Sequence, residues 1–312
     1  MTTLQERVNN AGFGHFIKQI FPNYKVQKIS LITSLVCPNV NPITKQVGCT
    51  YCNNATFSPT LNLKNKPILQ QLQEGINFFR YKYPDMHYLA YFQSYTSTFG
   101  SLKRLIAQYN DVLDADKVEG LVIATRPDMM PDYLLDYLEE IAKEKFVLVE
   151  YGIESTLNET LKKINRGHSY ECAVDTILRT AGRGIFIGGH LILGLPGESR
   201  QEMLRHAENI NLLPLDILKL HQLQIIKDTP MAVEYSEHPE HFSLPSAEEY
   251  ADLCLDFLEL LREDIALDRF LSSSPADLLI APRWNIKNYA FQAILKRQIG
   301  IRTMRDNIPK SN

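Results

Sequence analysis

No run in this 312-residue chain approaches the roughly 20 consecutive apolar residues that a membrane-spanning helix requires. The first residues, MTTLQERVNNAGFGHF, lack the charged-then-apolar order of a secretory leader, so the expected location is cytoplasmic, with no membrane partner. There is no basic excess either. Lys and Arg number 33 against 36 Asp and Glu, a formal net charge of −3. That argues against a protein held to nucleic acid by overall charge, though a local basic patch stays open. Low-complexity tracts, internal repeats and a clear domain linker are also missing. Cysteine is scarce, and five residues in a long chain without a leader do not make a disulfide framework.

What remains is ordinary in bulk and unusual in one place. Apolar residues at 45% and charged residues at 22% describe a globular protein, and 312 residues allow one large α/β domain or two smaller ones. Three of the five cysteines, however, fall within sixteen positions, in CPNVNPITKQVGCTYC from Cys37 to Cys52. Cys172 and Cys254 sit in helix-like stretches and read as small buried hydrophobes. The clustered trio has four readings. Cys49 and Cys52 alone make a thioredoxin-like dithiol. With His15 or His168 as a fourth ligand, the trio makes a structural zinc site. A third reading has the three simply buried, although a loop with Pro38, Gly48, Asn53 and Asn54 is poor core material. Finally, three thiolates can hold an iron–sulfur cluster and leave one iron open. The eleven residues between Cys37 and Cys49 are no obstacle, because loop closure costs only about 1 kcal/mol more than for a three-residue gap.

Apolar segments rich in β-branched and aromatic residues recur along the chain: KISLIT (28–33), HYLAYFQS (87–94), GLVIATRP (120–127), FVLVEYGIES (146–155), GIFIGGHLILGLPG (184–197) and ILKLHQLQII (217–226). They are apolar on both parities, as strands covered on both faces are. Helices are expected between them. A helix-like stretch begins near Pro67, and PDYLLDYLEEIAK lines up Leu134, Leu135, Leu138 and Ile141 on one face behind Pro131. SAEEYADLCLDFLELLRED opens with Ser246 and Glu249 in capping-box spacing. Six strand–helix units predict a parallel α/β protein, either a doubly wound sheet or a full or partial barrel, which the weak strand LLIAP (278–282) would extend. HPEHFSLP (238–245) reads as a loop and the tail after Gly300 as mobile. Ligands of such folds bind at the C-terminal strand ends. Gln93 and Ser94, Thr125 to Asp128, Glu154 and Ser155, Gly194 to Glu198 and Gln222 to Gln224 fall there, with the cysteine loop on the same rim.

The chain resembles the radical S-adenosylmethionine (SAM) enzymes. Cys49-Thr50-Tyr51-Cys52 matches the second half of that superfamily's three-cysteine signature, with its aromatic residue before the last cysteine. The spacing between Cys37 and Cys49 is longer than the usual three residues. TRPD (125–128), YGIES (151–155), INRGH (164–168) and ILGLPGES (192–199) follow in order, similar to the core shared by the elongator catalytic subunit and oxygen-independent coproporphyrinogen oxidase. With CPN, YFQSYT and LIAPRW added, residues 15 to 300 resemble the YhcC-type branch.

The resemblance implies a partial (β/α)6 TIM-like barrel of the radical SAM type with a small C-terminal extension: an N-terminal extension (1–27), the core barrel (28–235), and a helical extension with a short strand (236–312). It implies that Cys37, Cys49 and Cys52 bind a [4Fe–4S] cluster. SAM would chelate the fourth iron and be cleaved reductively to a 5′-deoxyadenosyl radical, with flavodoxin or ferredoxin as electron donor. Tyr51 would lie by the adenine, and Ser94 replaces a glycine-rich turn near the SAM methionine moiety. Glu154 would contact SAM, Arg166 its carboxylate, His190 its ribose, and Gly194 would admit the adenosine end. Ala124 stands where relatives often carry a carboxylate, and Arg126 and Asp128 are left as polar candidates. The substrate stays open among a tRNA base, which the net charge does not favour, a small metabolite and a protein. An iron–sulfur electron carrier without radical chemistry and a zinc module are the competing functions.

Overall fold

Alternation decides how the strands sit. In His87–Phe92, Tyr88, Ala90 and Phe92 face one apolar layer, while Leu89 and Tyr91 face another. A strand covered on both sides requires this pattern. The computed structural model describes residues 2–33, 37–41, 46–56 and 66–306. Residues 42–45, in the cysteine loop, and 307–312, at the end of the tail, lie outside them. Among the described residues one seven-stranded sheet runs, in chain order and in spatial order, β1 (Val26–Leu31), β2 (His87–Phe92), β3 (Val118–Thr125), β4 (Phe146–Glu154), β5 (Phe186–Leu193), β6 (Ile217–Gln222) and β7 (Ala266–Arg269). Every adjacent pair is parallel.

Helices α1 (Leu4–Asn10) and α2 (Phe13–Ile20) precede β1. The crossovers use α3 (Ile68–Arg80), α4 (Leu102–Leu113), α5 (Asp132–Ala142), α6 (Asn158–Lys163), α7 (Tyr170–Thr180), α8 (Arg200–Asn211), α9 (Pro230–Glu237) and α10 (Ala247–Leu260); α11 (Asn288–Asp306) ends the chain. The sequence pattern explains their faces. Leu134, Leu135 and Leu138 of α5 are fully buried, each stabilising the outer layer by about 1.5–3 kcal/mol. The Ser246 and Glu249 capping box of α10 is formed as read.

The sheet curls, because its two edge strands meet across the interior: Lys28 Nζ of β1 lies 3.1 Å from Asp268 Oδ2 of β7. At the N-terminal end of the strands, α2 packs against both edges. It inserts Phe16 and Ile17 among Leu89, Val122, Phe146, Leu148 and Ile217. The interior of this partial barrel is therefore apolar at its base and open at the other end, where the strands terminate.

Three expectations change. The six strands read from sequence are all present, but β7 makes a seventh. Asp268 and Arg269 charge half of its four residues, so no hydrophobic period marks it. LLIAP does form a strand, Leu279–Ala281, yet it pairs antiparallel with Ile225–Ile226 outside the main sheet and does not extend it. The tail past Gly300 is helical to Asp306. Phe291 and Leu295 of α11 are fully buried, and Arg302 bridges to Asp252, Asp256 and Glu259.

Candidate functional site

The open end of the barrel is a cleft bounded by Cys37, Cys49 and Cys52 on one side and by the ends of β2 to β7 on the other. Its open space, solvent at the mouth included, is about 1280 Å³. The cysteine loop has little regular structure of its own and is held by the turn after α6. Asn165 Nδ2 donates to Gly48 O (2.7 Å), Thr50 N–H to Ile164 O (2.9 Å) and Asn39 Nδ2 to Asn165 O (2.6 Å). Met231 N–H, from α9, donates to Thr50 O (2.9 Å). Three N–H groups also point at sulfur. Asn39 Nδ2 lies 3.5 Å and Arg166 Nη1 3.6 Å from Cys49 Sγ, and Asn54 Nδ2 lies 3.9 Å from Cys52 Sγ.

Arg166 links this loop to β4. Its Nη2 donates to Gly152 O (2.6 Å) and sits 3.4 Å from Glu154 Oε1, while its buried Nε has no partner among the described residues. The approach requires glycine at 152, since a Cβ there would fall 2.4 Å from Arg166 Nη2 and 2.5 Å from Glu154 Oε1. Glu154 itself adopts φ +68°, a left-handed turn at the strand end. Arg126, also lining the cleft, is bound within its own turn by Asp128 through two bonds of 2.9 and 2.8 Å. An internal salt bridge thus accounts for that pair.

Below the cysteines the interior carries a charged layer. Glu150 Oε2, 1% exposed as a residue, accepts from Lys219 Nζ (2.5 Å) and Tyr91 OH (2.8 Å) and contacts His190 Nε2 (3.2 Å). Lys28 lies 3.7 Å from Glu150 Oε1, and Asp268 is within 3.1 Å of Lys28 and 3.5 Å of Lys219. Burial pushes the Glu150 carboxyl up, but Lys219 and then Lys28 outweigh it and hold the group well below the ordinary range. Burial, followed by Lys219, lowers His190. Next to it His221 Nε2 accepts from Arg269. Except for His190, sequence reasoning passed over this layer.

Two family models match the chain: the radical SAM superfamily over residues 46–210 and the radical SAM C-terminal domain over residues 215–299. The chain belongs to the radical SAM superfamily. It is 33% identical to the protein YhcC of Escherichia coli (strain K12) over 264 residues, 83% of this chain and 82% of that protein. It is 30% identical to YtqA of Bacillus subtilis (strain 168) over 276 residues, 88% and 85% of the two chains. Among solved structures, the archaeal Methanocaldococcus infernus Elp3 with an N-terminal deletion shares the fold. The TM-score is 0.67 at 16% identity, over 89% of this chain and 63% of that one. This radical SAM chain thus has the partial barrel of its superfamily, whose members use a [4Fe–4S] cluster, SAM and a reductant. The superfamily match begins at residue 46, so it includes Cys49 and Cys52 and leaves Cys37 outside.

The residues present fit such a cluster better than a single metal ion. A tetrahedral zinc with bonds of about 2.3 Å sets its sulfurs about 3.8 Å apart. Among the described residues, however, the only three His, Cys, Asp or Glu ligand atoms within 4.8 Å of one another are those of His238, Glu240 and His241 at the surface. At least one pair of the cysteine sulfurs is therefore more than 4.8 Å apart, wider than the ligands of one zinc ion. Burial, then the neighbouring Cys49 and Cys37, pushes the Cys52 thiol up to about 12. It therefore keeps its proton at neutral pH unless a metal displaces it.

Of the other residues singled out in the sequence, Tyr51, Glu154, Arg166 and His190 line the cleft. Tyr51 also packs on the apolar cluster around Ile164 and Ile192. Ser94 lies beneath the cleft, where its hydroxyl accepts from Thr33 N–H (3.2 Å); Gln93, Tyr95 and Thr96 line the wall instead. Gly194 is not in the lining, and its φ of +95° explains the glycine. His168 is half-buried and does not line the cleft. Burial, then Arg166, pushes it down to about 4.

Proposed function

We propose that Cys37, Cys49 and Cys52 hold a [4Fe–4S] cluster whose open iron takes SAM, and that the protein cleaves SAM reductively to act on a substrate in the barrel interior. The observation that carries this reading is the shared cleft. Three thiols, N–H donors directed at two of them, a buried Arg166–Glu154 pair and a titratable floor all face one space. When bound, the cluster would supply one electron to the sulfonium of SAM, giving a 5′-deoxyadenosyl radical that takes a hydrogen atom from the substrate.

The chain's own residues have separable tasks in this proposal. Asn39 and Arg166 donate toward Cys49 Sγ and Asn54 toward Cys52 Sγ, contacts that would orient the sulfurs as cluster ligands. Arg166 is fixed by Gly152 O and Glu154, so its guanidinium is oriented in advance for the SAM carboxylate. Glu154 and Tyr51 would border the SAM amino and adenine groups. With Nε2 committed to Glu150, His190 has Nδ1 for the ribose. A flavodoxin or ferredoxin would deliver the electron.

The test is anaerobic reconstitution with iron and sulfide, then reduction in the presence of SAM. 5′-Deoxyadenosine is expected. A fully loaded protein that binds SAM without releasing any would overturn the proposal in favour of an electron-carrying role. Zinc in place of iron in protein purified anaerobically would overturn it in favour of a structural metal site.

A further inference from the structure

The charged layer holds one cation more than it can match. Lys28, Lys219 and Arg269 stand against Glu150 and Asp268, and the two lysines take both carboxylates. Arg269 has no carboxylate within 4.0 Å among the described residues. Its neighbour is the imidazole of His221, whose Nε2 accepts from Arg269 Nε (3.3 Å) and Nη2 (3.0 Å). A ring nitrogen that accepts from a guanidinium carries no proton, so the neutral ring has its N–H at Nδ1. Burial, then Arg269, holds His221 well below its ordinary value, in keeping with a neutral ring. Neither His221 Nδ1 nor Arg269 Nη1 has a partner among the described residues, and both side chains line the cleft.

Arg269 reaches this position through an irregularity in β7. Leu267 pairs with Leu218 and faces the helix layer, and regular alternation would send Arg269, two residues on, the same way. Instead the register shifts between Leu267 and Arg269, which pairs Arg269 with Lys219 and turns it inward onto His221. Bulges re-aim side chains in this manner beside binding sites. The chain just beyond is held by two bonds between Gln222 and Ser272, of 2.9 and 2.8 Å, so the guanidinium is placed on a fixed support.

We propose that Arg269, with the Nδ1–H of His221 beside it, binds an oxyanion of the substrate, a carboxylate or phosphate group on a small molecule. The assignment rests on the radical SAM reading of the cleft. The surplus cation is half-buried on the inner wall and gains a counter-charge only when the anion arrives. A guanidinium supplies paired donors to such a group. The inner wall of a barrel suits a small anion better than RNA, whose phosphates run along an outer surface.

The test titrates the cluster-loaded, unreduced protein with inorganic phosphate and, separately, with glutarate, followed by calorimetry with and without SAM. One of the two is expected to bind, and which one does identifies the oxyanion. Arg269→Gln should weaken that binding by about tenfold or more. Arg269→Lys keeps the charge, loses the fork and should fall between; it carries the test if the glutamine variant does not fold. Arg297→Gln, at a surface arginine paired with Glu248, should bind like the wild type. The proposal is overturned if neither anion binds, if Arg269→Gln binds as well as wild type, if SAM displaces the anion, or if bulk tRNA displaces it. Failure of the radical reading looks different. The same preparation, once reduced, would release no 5′-deoxyadenosine, while the titration without SAM would still report the anion site.

Discussion

The rim and the floor of the cleft are built in opposite ways. The rim concentrates its chemistry in one short loop, Cys37 to Cys52, which pairs Val40–Asn41 with Gln46–Val47 and is anchored from outside by Asn165, Ile164 and Met231. The floor draws one or two residues from each of six strands, Lys28, Tyr91, Glu150, His190, Lys219, His221, Asp268 and Arg269, all held by the sheet under them. A loop can change spacing, as the eleven residues between Cys37 and Cys49 do, because closure entropy grows slowly with length. In a regular stretch of strand a floor residue cannot shift by one position without leaving the interior, and β7 turns both Asp268 and Arg269 inward only through its register shift.

The largest effect should come from the rim. Cys37→Ala, Cys49→Ala and Cys52→Ala should each abolish the intact cluster and SAM cleavage to the same extent, because a chelating SAM completes only one corner. Iron content and 5′-deoxyadenosine yield measure this. An active Cys37→Ala protein would move the third ligand elsewhere and break the contrast, since the rim would no longer reside in one loop.

The floor should respond in stability before it responds in chemistry. Lys219→Met leaves Glu150, 1% exposed, with only the more distant Lys28, and removal of one partner of a buried pair costs about 3–5 kcal/mol. The double change of Lys219→Met with Glu150→Gln should recover most of that loss, because the carboxylate is removed together with its nearest cation. Urea midpoints of the two variants decide the matter. Equal losses would mean that the layer acts through packing and not through charge.

This division also explains what could be read from the sequence. The six apolar strands, the α5 face, the α10 capping box and the cysteine loop are local signals, each contained in a few consecutive residues. Arg166, Glu154 and His190 became legible only through their motif neighbours. Glu150 and Lys219 are isolated polar residues inside apolar strands, and nothing local indicates that 69 positions apart they meet at 2.5 Å. Arg269 was hidden twice, by the short charged strand that carries it and by the register shift that turns it inward. Ser94 shows the converse, a strand-end hydroxyl whose backbone partner, Thr33 N–H, no pattern reveals.

Acid should act on the floor in a definite direction. His190 and His221 are held below their ordinary values by burial first, then by Lys219 and Arg269 respectively. Folded they stay neutral, whereas unfolded they take up protons below about pH 6.5, so stability falls as pH drops through that value. The slope should approach about 1.4 kcal/mol per pH unit for each histidine that titrates only in the unfolded state. Glu150 adds a second loss further down, because a depressed carboxyl stabilises above its unfolded value and ceases to as pH falls through the folded one. Urea midpoints over this range should show the slope, and His221→Gln should flatten its upper part. A slope unchanged in that variant would place the titrating group elsewhere.

The smallest effect should belong to Cys172, and its smallness sharpens the contrast between rim and remainder. Cys172 lies in the first turn of α7, where its N–H donates to Ser169 Oγ, and it is only half-buried. Burial, then Asp128, raises its thiol, so it favours the protonated form, and it does not line the cleft. Cys172→Ala keeps the backbone donor that the Ser169 cap uses and removes only a sulfur that belongs to no three-ligand group among the described residues. Stability should change by no more than about 0.5 kcal/mol. Iron per chain and the visible absorption of the loaded protein should match the wild type. Loss of cluster in this variant would mean that thiols outside the loop contribute ligands.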